Sequence, residues 1–508
     1  MAFFLKAGAI GLLATAAFPM VIAPLSPQPL LEFLPRELFM FVAVGWLYLE
    51  LPKHHGWRRF LFFWTAGFFH FLGLIYWLVI AMTNFGGLPF VQSLFLLALL
   101  CLYCAVYWGL LPVLSDFLCR HIRMPLFLAF PCSVVLLEWL RTIVITGFPW
   151  GLWGYSQTRN ILFLQLASVV GVYGVSWMIA LVAALAGECV KAEDKIRRRM
   201  NFIRLAGALL CIYGMGGILF LSSEMPAGEK LRVGLIQGNI EQTLKSRSSE
   251  YRRQIREKYM KLSRTAFDAG ASLIVWPEAA WPGHVRAESK ALRGFDLAGD
   301  TIMGASTYLK EGKGKHKLHN SAFYFREKEI VGRYDKLHLV PFGEYVPLRG
   351  ILPVEKFVPG MADYSPGHSH APLANQWGVL ICYDGIFPEI SREHVLAGAT
   401  LLANLTNDAW YGVSSAPYQH RDFYALRAVE TGRWLVRTAN TGISVFFDPK
   451  GRMFAPTPHN QDAVTLYDVV PYGGQTFYVL LGNWVIAVCI GFFLIAFVYA
   501  LRQRLGRG

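Results

Sequence analysis

The sequence predicts two architectures in one chain, an α-helical transmembrane bundle of eight helices and an α/β domain placed ahead of the last of them. Three observations predict this. The 508 residues are 54% hydrophobic and 15% aromatic with only 16% charged, and the mean hydropathy is +0.38. A soluble enzyme of this length is rarely so apolar. Apolar stretches, most of them near the ~20 residues that a helix needs to cross the hydrocarbon core, recur along the first 222 residues and once more near the end. Between them, from about 225 to 475, the apolar runs shorten to strand length and alternate with helical patterns.

The apolar stretches lie at roughly 7–25, 35–51, 60–82, 90–114, 124–142, 163–188, 205–222 and 477–500. The first, preceded by Lys6, has the charge, apolar run and small residues of a signal peptide, but the spans that follow it read it as a retained first helix. The fifth carries Glu138 and Arg141 one helical turn apart, an arrangement that allows pairing inside a bundle. Lys and Arg then orient the chain. One side collects Lys6, Lys53, Arg58, Arg59, Arg120, Arg123, the run from Lys191 to Arg204, and Arg502, Arg504 and Arg507; the other offers little beyond Arg36 and Arg159. This bias predicts cytoplasmic termini, with 1–224 as a seven-helix bundle, 225–475 as an outward-facing domain and 476–508 as a last helix and tail. The loop from Thr146 to Tyr155 is aromatic and Gly-rich. It reads either as an interfacial aromatic belt or as a platform beneath the outer domain.

In that domain Leu231 to Gln237 reads as a first strand ending in Gly238-Asn239, and 247–268 as a charged helix. Ser272 to Trp276 is a strand running into Pro277-Glu278, and Asp300 to Ala305 another, followed by a Gly/Lys-rich hairpin from Lys310 to Lys317. Strand Ser321 to Phe325 precedes the segment Tyr334 to Leu339. Val379 to Ile381 is a short buried strand that delivers Cys382, with a helical pattern beginning near Pro388; Thr400 to Thr406 is a further strand, and a final hairpin turns at Asp448 to Gly451.

The net charge of +14 and the pI of about 9.4 raise the question of nucleic acid. The basic residues lie mostly between apolar segments, and there is no RNA-binding signature, basic arm or zinc spacing; membrane orientation accounts for the charge. Seven of the eight cysteines, including the Cys101/Cys104 pair, fall in or beside apolar stretches, which argues against a redox or metal role. Cys382 alone lies in the polar region.

Taken singly, a strand-end cysteine is ordinarily a buried structural residue, and a lone Glu or Lys a solvated charge. Three such residues at strand ends are a different matter. Cys382, at a strand-to-helix transition near backbone N–H groups and a helix dipole, is expected to favour its thiolate and to act as a nucleophile. Glu278, after Pro277, is a candidate general base and later general acid. Lys336 is placed to stabilise a developing oxyanion. A Ser/His/Asp triad has no Gly-x-Ser-x-Gly elbow to support it.

Trp276-Pro277-Glu278, Gly332-Arg333-Tyr334-Asp335-Lys336 with Pro341-Phe342-Gly343-Glu344, and Ile381-Cys382-Tyr383 resemble the three signatures of the nitrilase superfamily. With the helical frame, Gly147-Phe148-Pro149-Trp150 and the run Asn404 to Gly412, the whole chain resembles the superfamily's membrane-embedded branch, the apolipoprotein N-acyltransferases of bacterial inner membranes. The resemblance implies an α-β-β-α sandwich facing the periplasm, a Glu278-Lys336-Cys382 triad and no cofactor or metal. It implies transfer of an acyl chain from a phospholipid, typically phosphatidylethanolamine, through a thioester to the α-amino group of a diacylglyceryl-cysteine on an apolipoprotein. It matches Glu344 to a glutamate that helps position the site, Tyr383 and Trp410 to positions near the acyl path, and Asn239 to the turn before a lid.

Two positions depart from the resemblance. Residue 384 is Asp where the family commonly has Glu, one methylene longer, and Ile240 to Ser248 lacks a tryptophan that some relatives place there. A membrane-tethered amidase or nitrilase shares the triad but gives no reason for seven preceding helices. A non-catalytic scaffold predicts that Cys382 tolerates Ala. A monomer is the expected state.

Overall fold

The computed structural model describes residues 1–22, 28–29, 34–222, 227–241, 249–311, 315–347 and 363–505. Within them the outer domain contains strands β1 (Leu231–Gln237), β2 (Leu273–Val275), β3 (His284–Arg286), β4 (Asp300–Glu311), β5 (Lys315–Arg326), β6 (Glu329–Asp335), β7 (Trp377–Ile381), β8 (Leu401–Thr406), β9 (Leu435–Ala439), β10 (Val445–Phe447), β11 (Met453–Phe454) and β12 (Ala463–Val469). One sheet runs β12-β1-β2-β4-β5-β6 with β3 beside β4, and the other runs β11-β10-β9-β8-β7. The boundary near 224, the turn of the 310–317 hairpin and most of the Ile240 to Ser248 stretch fall outside the described residues.

The alternation of strand side chains builds the layers. Val233 and Leu235 of β1, Val379 and Ile381 of β7, and Leu401, Ala403 and Leu405 of β8 all enter one core between the two sheets. Ile236 of β1 turns the other way and packs with Ile255, Tyr259 and Met260 of helix Ser249–Asp268. Leu380 of β7 and Leu402 of β8 turn outward on the second sheet, to helices Pro388–Leu396 and Ala416–Thr431. The result is helix, sheet, sheet, helix. β9, β12 and helix Ala416–Thr431 were not anticipated. That helix is buried at every position and carries no polar face for a helical period to reveal.

Each of the eight apolar stretches contains helix, but they do not all meet the length of a span. Phe90–Ile122, Leu126–Thr146, Ala167–Lys191, Lys195–Ser222 and Trp484–Leu505 are long and apolar enough to cross a membrane, and Gly56–Leu74 with Leu78–Asn84 would make a sixth, bent by 53°. Ala2–Thr15 and Glu37–Glu50 have 14 residues each, only about 21 Å at the helical rise. The bend lies where the outer domain docks. There the Tyr76 hydroxyl reaches the Val21 carbonyl and Ser415, and Trp77 Nε1 donates to Leu74 O and, at 3.3 Å, to Gln419 Oε1.

The aromatic loop after the fifth stretch is not displayed at a surface. Trp150, Trp153 and Tyr155 are at most 2% exposed. They form the floor on which helix Ala416–Thr431 rests, with Trp150 Nε1 donating to Gln419 Oε1 at 2.8 Å and the Tyr155 hydroxyl to Ile386 O at 2.7 Å. Glu138 and Arg141 serve this floor instead of pairing directly: Glu138 accepts the Trp153 N–H at 2.6 Å, and Arg141 donates to the carbonyls of Phe148 and Trp150 at 2.6 and 2.7 Å. Bundle and outer domain therefore share one apolar core.

Candidate active site

Glu278, Lys336, Cys382 and Asn407 each follow the last residues of a strand, β2, β6, β7 and β8 respectively, and these carboxyl ends converge. Glycine at 304 on β4 is what lets the Glu278 backbone come so close, because a Cβ there would stand 2.4 Å from Pro277 O and 2.7 Å from the Glu278 Cα. Cys382 lies in the left-handed region at φ 49°. This is an uncommon conformation for a residue with a side chain, and one that marks functional turns. Its carbonyl is held there by the Tyr424 hydroxyl at 2.8 Å.

Five side chains, those of Glu278, Asn320, Lys336, Glu344 and Cys382, form one cluster at these strand ends. Lys336 Nζ stands 2.8 Å from Glu344 Oε2 and 3.7 Å from Glu278 Oε1. Asn320 Nδ2 donates to both carboxylates, at 2.7 Å to Glu278 and 2.8 Å to Glu344, and the Asn407 N–H donates to Glu278 Oε2 at 3.0 Å. Glu344 Oε2 also accepts the Val340 N–H at 2.8 Å, which closes the loop that carries it. The Cys382 thiol lies within hydrogen-bonding reach of the Glu278 carboxylate and of the Thr406 hydroxyl.

The protonation states follow from burial and from a shortage of positive charge. Burial raises the Glu278 pKa, and Glu344 adds to this, against Lys336, Asn320 and the thiol. Burial also works against the Lys336 ammonium, but Glu344 and Glu278 outweigh it and keep the lysine charged. For Cys382, burial and then the neighbouring Glu278 push the thiol well up, while Lys336 and Thr406 oppose them. This corrects the expectation of a resting thiolate. A single 3₁₀ turn, Cys382–Ile386, supplies little dipole, and burial prevails. The arrangement is a protonated thiol beside a carboxylate able to take its proton, with a fixed ammonium alongside.

The remaining expected residues divide by distance from this cluster. Asp384 is fully buried just behind it, where Oδ1 accepts the His338 N–H at 2.7 Å and Oδ2 accepts the Tyr334 hydroxyl at 3.1 Å and the Ile381 N–H at 3.2 Å. The shorter acid thus makes a full set of contacts, tying the loop after Lys336 to the turn of Cys382. Tyr383 points the other way, its hydroxyl 3.4 Å from Gly147 O. Trp410 is 38% exposed and meets Phe85 of the bundle in a T-shaped contact at 5.1 Å, so it belongs to the rim. Asn239 does not reach the cluster. Its N–H donates to Asn440 O, Asn440 Nδ2 donates to Asn407 Oδ1 at 2.9 Å, and the Asn407 N–H donates to Glu278, which places Asn239 three hydrogen bonds from that carboxylate.

Sequence reasoning missed Asn320, Thr406, His338 and Tyr424 as parts of the site. A signal existed for Asn320, since His319-Asn320-Ser321 is a polar run inside a core strand, where buried polar groups need partners.

A thiol, carboxylates and a lysine converge on a two-sheet α/β sandwich, and the sequence pattern described as carbon-nitrogen hydrolase matches residues 232–476. That described as the apolipoprotein N-acyltransferase N-terminal domain matches residues 10–185. The chain is 36% identical over 482 residues to an apolipoprotein N-acyltransferase of Geobacter metallireducens, covering 91% of each chain. It is 33% identical to the Shewanella oneidensis enzyme of that name, over 86% of this chain and 88% of the other, and 33% identical to that of Vibrio cholerae, over 97% of each. A nitrilase-superfamily amidase from Nesterenkonia is similar to 51% of this chain and 99% of its own, at 21% identity and a TM-score of 0.36. The chain belongs to the apolipoprotein N-acyltransferase family.

Proposed function

We propose that Cys382, Glu278 and Lys336 transfer a fatty acyl chain from a membrane phospholipid, phosphatidylethanolamine being the expected donor, to the α-amino group of an S-diacylglyceryl-cysteine at the N-terminus of an apolipoprotein. Acyl transfer in lipoprotein maturation is the activity of the family to which the chain belongs. The observation that carries the residue assignment is the thiol of Cys382 within reach of the Glu278 carboxylate, beside the Lys336 ammonium.

Glu278 takes the thiol proton as sulfur attacks the ester carbonyl, and the ammonium of Lys336 offsets the charge that develops on oxygen. Collapse of the tetrahedral intermediate breaks the carbon–oxygen bond, and protonated Glu278 returns the proton to the departing lysophospholipid. In the second half Glu278 takes a proton from the acceptor amine as nitrogen attacks the thioester. The carbon–sulfur bond then breaks, leaving an amide and the Cys382 thiol. Two substrates using one site in turn give ping-pong kinetics.

The Lys/Arg bias supports an inner-membrane protein with both termini cytoplasmic, 225–475 facing the periplasm and, counting the two short helices and the bent pair, eight crossings. A monomer suffices, since all the proposed reacting groups come from one chain. Intact-protein mass spectrometry after incubation with phosphatidylethanolamine tests the reading. Wild type should gain one acyl mass that hydroxylamine removes and a diacylated lipopeptide discharges, and Cys382→Ala should gain none. A folded wild-type protein that acylates its acceptor without ever carrying the adduct would overturn the covalent mechanism.

A further inference from the structure

One short segment of the membrane bundle touches residues that adjoin three members of the active cluster, Lys336, Glu344 and Cys382. After the helix that ends at Ile143, the chain passes through three successive left-handed residues, Ile145 at φ 49°, Thr146 at φ 71° and Gly147 at φ 80°. Two of these are β-branched, the type least suited to that region, and Ile145 is 66% exposed, so its own packing does not hold it there. Beside the Gly147 N–H bond to Val144 O and the Phe148 N–H bond to Arg141 O, contacts with the outer domain hold the segment. Thr146 O lies 3.0 Å from His338 Nε2, two residues beyond Lys336. The Thr146 side chain also lies beside the Tyr345 hydroxyl, next to Glu344. Gly147 O accepts from Tyr383, next to Cys382, at 3.4 Å.

His338 is the strongest of these links. Its backbone N–H is held by Asp384 at 2.7 Å, and its ring lies against Phe387, centroids 3.8 Å apart. The ring is neutral, burial holding its pKa down to about 4, so the nitrogen that faces a carbonyl carries the proton and donates. Ring, backbone and Asp384 thus form a continuous path from the Thr146 carbonyl to the turn of Cys382.

We propose that His338 is a positioning residue which, by gripping the left-handed Ile145-Thr146-Gly147 segment, keeps the loop of Lys336 in register with Cys382, so that the cluster is aligned only while the outer domain is seated on the bundle. The inference rests on Cys382 as the nucleophile, and it fails separately from that assignment. A wild type that never forms an acyl-enzyme would remove the assignment, whereas the His338 variants address alignment alone.

The full-length protein in detergent serves for the test, with His338→Phe to keep a ring without a donor and His338→Gln to restore an N–H. Two rates are read, acyl-enzyme formation from phosphatidylethanolamine and iodoacetamide alkylation of the Cys382 peptide by mass spectrometry. The small soluble reagent needs no lipid path. His338→Phe should slow both by about tenfold, the scale of one lost buried hydrogen bond. The donor KM and thermal midpoint should stay near wild type, and His338→Gln should recover most of the loss. Slowed acylation with unchanged alkylation would overturn the proposal in favour of lipid access. Equal losses of rate and thermal midpoint in both variants would reduce His338 to packing, and wild-type rates in His338→Phe would remove it altogether.

Discussion

Two buried charge clusters meet at consecutive residues, and they are built on opposite principles. The Asn407 N–H belongs to the cluster of Glu278, Glu344 and Lys336. Asp408, the next residue, belongs to a cluster in which Arg437 Nη2 stands 2.7 Å and His420 Nδ1 3.0 Å from its carboxylate. Burial opposes ionisation in both. In the second, one acid is matched to one arginine, and Arg437 and His420 outweigh burial to hold Asp408 well below the usual carboxylate range. In the first, two acids share one lysine and the Glu278 pKa rises. A matched pair is inert and fixes geometry, whereas a mismatched one holds a base close to its working protonation balance. The matched pair also serves its neighbour, since Asp408 accepts from Thr406 and His420 contacts Tyr424, and these two touch the thiol and the carbonyl of Cys382.

Neutralising the mismatched cluster should therefore remove activity and leave the fold. Glu278→Gln is expected to lower acyl-enzyme formation by about 10²–10⁴-fold, the range of a positioned general base, with little change in thermal midpoint. A midpoint that falls as far as the rate would erase the distinction. Arg437→Met does the reverse. It leaves Asp408 without its cation at a site 0% exposed, and breaking a buried pair in this way costs about 3–5 kcal/mol, read as loss of unfolding free energy in detergent. Protein that remains folded should still form the adduct.

Glu344→Gln sharpens the comparison by making the first cluster resemble the second, with one acid for one cation. Glu344 is a cause of the raised Glu278 pKa, and Lys336 opposes it. Glu278 acts as a base only when ionised, so kcat/KM rises with pH through its pKa. Removing the Glu344 charge should move this acidic limb to lower pH, and an unmoved limb would separate Glu344 from the titration.

The sequence disclosed the sandwich and the proposed reacting groups for the same reason. Short apolar strands ending in Glu278 and Cys382 are local patterns, and a strand end is where a side chain leaves the core. Partners such as Tyr424 and Arg437 were not legible, because they lie within a strand or a helix buried on all sides and acquire meaning only when distant segments meet. Helix length was not legible for a related reason. Ala2–Thr15 and Glu37–Glu50 sit in apolar stretches of nearly normal length, yet the bundle buries Ala7, Ile10 and Ala14 of the one and Met40, Val44 and Leu47 of the other, so tertiary packing and not hydropathy decides where they end.

Asp384 tests the boundary between the two principles, because it is buried without a cation of its own. Burial is the chief reason that its pKa rises from 3.8 to about 7, with Lys336 and the N–H groups of His338 and Ile381 opposing. The folded chain therefore keeps a proton that the unfolded chain has released over that interval. The contribution to stability is full below about pH 4, declines as pH rises towards 7, and is constant above it. Asp384→Asn cannot titrate and resembles the protonated acid in shape and in presenting a donor group on one side, with two N–H bonds in place of one O–H. Its unfolding free energy should consequently fall less than that of wild type between those limits, while both curves run parallel at higher pH. Parallel curves throughout would mean that Asp384 stays ionised, held by three donors, and would place it with the matched kind of site despite having no arginine.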